Sequence, residues 1–83
     1  MASSFQNKII SKLKTKGWTA FSVVKLSQNG MPDILALKQG KTLWIESKEQ
    51  NDTLKPLQKL RIDEIRKNGF RAYCIQKGKG IIY

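Results

Sequence analysis

The chain has 83 residues and a formal charge of +10, from 16 Lys+Arg against 6 Asp+Glu, with no histidine and one cysteine. That length holds one small domain; without histidine there is no Ser/His or Cys/His nucleophile, and one thiol builds neither a zinc finger nor an internal disulfide. Any metal must therefore be held by oxygen, and the spread of basic residues from Lys8 to Lys79 points to an anionic partner, nucleic acid first.

Ser3-Ser4-Phe5-Gln6 reads as a capping box, with the Ser3 hydroxyl on a free amide and Gln6 reaching back. Phe5, Ile9, Ile10 and Leu13 then recur at helical spacing until Gly17 supplies the stop. Phe21, Val23 and Val24 predict a strand over residues 19–26, closed by Ser27-Gln28-Asn29-Gly30. A strand over 33–37, a tight turn at Lys38-Gln39-Gly40-Lys41 and a returning strand over 42–48 form a β-hairpin.

A polar loop over 49–52 leads to Pro56, suited to a first helical position, and Leu57, Leu60, Ile62 and Ile65 carry a helix to about residue 67, ended by Asn68-Gly69. A strand over 70–76 completes an α/β fold of order α-β-β-β-α-β, and a turn over 77–80 with a short strand over 81–83 follows it, one domain over residues 1–83. Trp18 and Trp44 read as core fillers, and Cys74 as a buried, inert thiol. The start has no secretion-signal profile and the longest uninterrupted apolar stretch, Ile34 to Leu37, is too short to cross a bilayer, so an intracellular protein without a membrane partner is expected. A core this small also favours a homodimer.

The hairpin carries the chemistry. With the turn centred on Gln39-Gly40, paired residues have numbers summing to 79: Leu37 faces Thr42, Leu35 faces Trp44 and Asp33 faces Glu46. Like charges facing across strands destabilise a sheet by roughly 0.2 to 1 kcal/mol, and a divalent cation between them reverses the sign. Mg²⁺ typically takes one or two carboxylates and completes its shell with water and phosphate oxygens. Strand alternation puts Lys48 on the face of Glu46, where its ammonium reaches the same phosphate, and turns the Ser47 side chain to the other face while its carbonyl offers a further hard oxygen. Gln58, on the apolar side of the second helix, needs a buried partner, and Arg61 shares that side.

Gly30-Met31-Pro32-Asp33, then Glu46-Ser47-Lys48 after twelve intervening residues, then Pro56-Leu57-Gln58 opening a helix, resembles the virus-type replication-repair nuclease (VRR-NUC) domain of the PD-(D/E)XK nuclease superfamily. The resemblance runs from about Gln6 to Ile75. It implies a restriction-endonuclease-like fold, a central mixed sheet flanked by helices, and Mg²⁺-dependent hydrolysis of DNA phosphodiesters, with Mn²⁺ as a substitute and no small-molecule cofactor.

In that family Asp33, Glu46, Lys48 and Gln58 would be the catalytic residues, and Asp33, Glu46 and the Ser47 carbonyl the metal ligands. Lys25, Gly30, Lys55 and Arg61 are the candidate DNA contacts. Small members act as homodimers on branched DNA, including four-way Holliday junctions, in the cytoplasm, some of them phage-encoded. Many carry a glutamate near the start of the first helix; here Ser4, Gln6 and Asn7 stand in that region, and no acid precedes Asp33.

Taken singly, Asp33 could cap a turn, Glu46 with Lys48 could be an exposed pair, and Lys25, Lys55 and Arg61 ordinary solvated charges. The rival functions are a non-catalytic nucleic-acid-binding module, since α-β-β-β-α order also occurs in double-stranded RNA binders, and an inactive relic kept as a scaffold.

Overall fold

The computed structural model describes residues 3–83. The first helix, α1 (Ser4–Thr15), starts where expected: the Ser3 hydroxyl accepts the Gln6 amide at 3.0 Å. It stops at Gly17, whose φ of +90° lets Trp18 N–H turn back onto Leu13 O at 3.0 Å. Only half of the expected capping box forms. The Gln6 side chain is buried and donates instead to the Asp33 carbonyl at 3.0 Å, because docking α1 on the sheet offers it an acceptor shielded from water.

Strand β1 (Thr19–Ser22) is shorter than the predicted 19–26. Its partner β2 (Ile34–Lys38) begins after Pro32, which has no N–H to extend a ladder, so pairing ends with Val23 N–H on Asp33 O at 2.8 Å. The chain then leaves the sheet, and Val24 is 87% exposed. Strand β3 (Lys41–Lys48) returns in the predicted register, with Leu35 opposite Trp44 and Leu37 opposite Thr42. Gln39 and Gly40 both have positive φ, +46° and +78°, the signature of the two-residue turn that matches strand twist.

The second helix, α2 (Pro56–Lys67), carries the chain over to β4 (Arg71–Gln76), parallel to β3. Strand β5 (Gly80–Ile81) pairs antiparallel with β4, slightly earlier than the expected 81–83. The sheet runs β1-β2-β3-β4-β5 and is mixed, antiparallel except at β3/β4. Helix α1 packs on β1 and β2, and α2 on β4.

Alternation divides the core between the two faces. Ala20, Ile34, Ala36 and Ile45 are buried on the α1 side; Ile62 of α2 meets Ala72 and Cys74 on the other, with Trp44, Leu54, Ile65 and Tyr83 packed against them. Fully burying a side chain such as Ile34 or Ile62 contributes about 1.5–3 kcal/mol. Burial pushes the Cys74 thiol up to about 11, which keeps it protonated and inert. Among the described residues no helix is long and apolar enough to cross a membrane.

Candidate active site

Asp33 sits at the mouth of β2, and three separate contacts hold the segment that leads to it. Gly30 has φ +81°, and a Cβ there would lie 2.8 Å from Leu57 Cγ and 3.2 Å from the Leu57 backbone, so only glycine lets this loop press against the first turn of α2. Arg61 reaches back from α2: Nε donates to Asn29 O at 2.9 Å and Nη2 to Gln28 Oε1 at 3.1 Å, while Nη1 pairs with Glu64 at 2.8 Å. The Asp33 carbonyl accepts from both Gln6 and Val23.

The Asp33 carboxylate is satisfied by one residue. Ser47 N–H donates to Oδ1 at 2.9 Å and Ser47 Oγ to Oδ2 at 2.6 Å. The hydroxyl expected on the opposite face thus has a part in the site, because Asp33, past the end of the paired strand, turns its carboxylate toward the neighbouring residue of β3.

Glu46 and Lys48 point to the α2 face of β3 and are 6% and 4% exposed. The Glu46 acid is pushed up to about 7, first by burial and next by the charge of Asp33, against the pull of Lys48. The opposition of the two acids is therefore felt in the fold, and Glu46 carries its cost. Lys48 Nζ stands 3.6 Å from Glu46 Oε2 and 3.5 Å from Asp52 Oδ2. Gln58 belongs to both helix and site: its Oε1 accepts the Lys55 amide at 3.0 Å, capping α2, and its Nε2 reaches Glu46 Oε2 at 3.5 Å.

The fold brings together Asp33, Glu46, Ser47, Lys48 and Gln58. Lys25 and Lys55 lie exposed on the loops at either side, Gly30 is packed on Leu57, and Arg61 turns inward to the protein rather than outward to solvent. Three contributors were not anticipated. Gln6 was hidden inside a capping pattern, and Asp52 inside a loop assigned only to polarity. Gln76 had a signal, since it continues the buried alternation of Ala72 and Cys74 with a polar side chain.

Among the described residues no cluster of three or more Asp, Glu or Cys side chains is arranged to hold a metal ion. Two carboxylates near enough for the charge of one to act on the other, one of them with its proton held up to about pH 7, nonetheless make a hard-oxygen donor set that suits a small divalent cation completing its shell with water.

The fold of the chain resembles that of Hjc, a Holliday junction resolvase from the archaeal hyperthermophile Archaeoglobus fulgidus, with a TM-score of 0.71 and 23% identity over 92% of this chain and 68% of that one. Among curated proteins, none matches. The sequence pattern of the VRR-NUC domain fits residues 2–77, and the chain belongs to that family.

Proposed function

We propose that this protein is a metal-dependent DNA endonuclease that hydrolyses phosphodiester bonds, with a preference for branched DNA such as four-way junctions. One observation carries the reading: a buried glutamate beside a buried lysine feels the charge of a second acid, Asp33, and has its own acid raised to about 7. A fold spends stability on such an arrangement where charge must later be neutralised.

Asp33 and Glu46 hold Mg²⁺ or Mn²⁺, with the Ser47 carbonyl as a third oxygen; when bound, the ion supplies positive charge at the phosphate and acidifies water. Ser47 keeps Asp33 aimed through two hydrogen bonds, and Gln58 steadies Glu46. The Lys48 ammonium orients the attacking water and offsets the charge that develops on the non-bridging oxygens. A preorganised group of this kind contributes on the order of 2.7–4 kcal/mol of barrier lowering. The water oxygen bonds to phosphorus and gives up a proton to solvent, the bond to the leaving oxygen breaks, and that oxygen takes up a proton from solvent.

Lys25 and Lys55 grip backbone phosphates on either side, while Gly30 and Arg61 shape the loop between them. The likeness to an archaeal Holliday junction resolvase makes a four-way junction the first substrate to try. Its resolution needs two symmetric cuts, which two copies with one site each supply, so a homodimer is the working form.

The test incubates labelled four-way junction and linear duplex with the protein in Mg²⁺ or EDTA, beside Lys48→Ala. Cutting of the junction by the parent alone, and only with metal, is the expected result. Equal binding by both proteins with cutting by neither selects the non-catalytic binder. A monomer by light scattering at micromolar concentration removes the dimer.

A further inference from the structure

One buried amide gathers three carbonyls of the loop between β3 and α2. Gln76 pairs with Lys48 across the parallel strands and is 4% exposed, and its Nε2 lies 3.0 Å from Glu49 O, 3.2 Å from Gln50 O and 2.6 Å from Asp52 O. A turn bond from Asp52 N–H to Glu49 O at 3.1 Å closes the loop on itself. The Asp52 carboxylate is oriented as well, because Oδ1 accepts the Thr53 amide at 2.8 Å. That leaves Oδ2 facing Lys48 Nζ at 3.5 Å.

We infer that Asp52 and Gln76 are positioning residues for Lys48: Gln76 folds the loop onto the sheet, and Asp52 supplies a second anion that holds the ammonium midway between two carboxylates. The inference rests on the proposed reading of Lys48 as the cation of a hydrolytic site. The two distances, 3.6 Å to Glu46 and 3.5 Å to Asp52, are nearly equal. With Asp52 removed, Glu46 is the one remaining anion beside Lys48 in that geometry, and the ammonium moves onto the oxygen the site needs free for its cation. A balanced lysine keeps its third proton for water or phosphate instead.

Asp52 is half exposed, so Asp52→Asn leaves the core intact, which a thermal melt verifies. Two measurements then decide the proposal. In single-turnover cleavage of the junction with Mg²⁺, Asp52→Asn lowers the rate constant on the order of tenfold to a hundredfold, the range typical of residues that orient a group at a metal site. Junction affinity measured in Ca²⁺ stays within about twofold, although loss of a negative charge by itself favours DNA binding. Asp52→Glu, which retains the charge, recovers most of the rate, and Gln76→Ala loses rate in the same direction.

The second measurement needs no catalysis. The ¹⁵Nζ signal of Lys48, assigned by its absence from Lys48→Ala, shifts and exchanges faster with water in Asp52→Asn. An unchanged ammonium signal, or an Asp52→Asn rate within twofold of the parent, overturns the proposal. A parent protein inert on every DNA tested counts against the nuclease reading alone, because the ammonium signal still decides whether Asp52 holds Lys48.

Discussion

Ser47 donates to both carboxylate oxygens of Asp33, its hydroxyl to Oδ2 at 2.6 Å and its amide to Oδ1 at 2.9 Å, so the two acids of the site are not equivalent. Both Asp33 oxygens have a hydrogen-bond donor. Glu46 is buried, faces the Asp33 charge, and has only the longer contacts to Lys48 and Gln58 as compensation. Repulsion between the two acids is therefore relieved chiefly at Glu46. Glu46→Gln should raise metal-free stability at pH 8 by about 1–3 kcal/mol, from the desolvation and repulsion it removes. Asp33→Asn gives up a charge-assisted bond worth about 1.5–3 kcal/mol and should gain little or lose stability. Urea unfolding of the two variants in EDTA checks the order.

The raised Glu46 acid sets a pH dependence. The folded chain keeps this proton up to about pH 7, whereas the unfolded chain releases it near 4.5, so between those values the folded state binds more protons. Stability without metal therefore falls as pH rises through this window, by up to about 3 kcal/mol. Mg²⁺ needs the deprotonated form, so the rise in melting temperature that it produces should be small at pH 5.5 and full at pH 8. Thermal melts across this range, with Glu46→Gln as the flat control, measure both trends.

The hairpin was the most legible part of the molecule. A two-residue turn at Gln39-Gly40 fixes the register arithmetically, and the register alone predicts that Asp33 and Glu46 share a face. Helix limits were legible too, since Ser3, Gly17, Pro56 and Asn68-Gly69 act through local hydrogen bonds and φ preferences. What stayed hidden depends on long-range contacts. The early end of β1 is set by Pro32, just before the partner strand, and the inward turn of Gln6 by a carbonyl 27 positions away. Arg61 serves Asn29 and Gln28, 32 and 33 positions away, and no periodicity within α2 encodes that.

Gly30→Ala should lower stability by about 1–3 kcal/mol, because a side chain at φ +81° is strained and its Cβ meets Leu57 at 2.8 Å. The same change should slow cutting through displacement of the Asp33 segment. A melting temperature within 1 °C of the parent, a shift far below what that cost implies, would show that the loop does not press on α2.

Salt dependence separates phosphate contacts from internal staples. Lys25→Ala and Lys55→Ala should each reduce the slope of log K against log salt by about one for junction binding. Arg61→Ala should leave that slope unchanged while lowering the cleavage rate, since its guanidinium holds Asn29 and Gln28 rather than DNA. Arg61→Lys should not restore the rate, because one ammonium cannot replace a fork that serves two acceptors.

Whether the opposed acids hold a cation is open to direct measurement by titrating the protein with Mn²⁺ at pH 8 and following the paramagnetic resonance signal of the free ion. The parent should deplete that signal, and Asp33→Asn and Glu46→Gln should each leave it nearly undiminished. Equal depletion by all three proteins would show that these carboxylates are not the ligands, and the hydrolytic reading of the site would have to be abandoned.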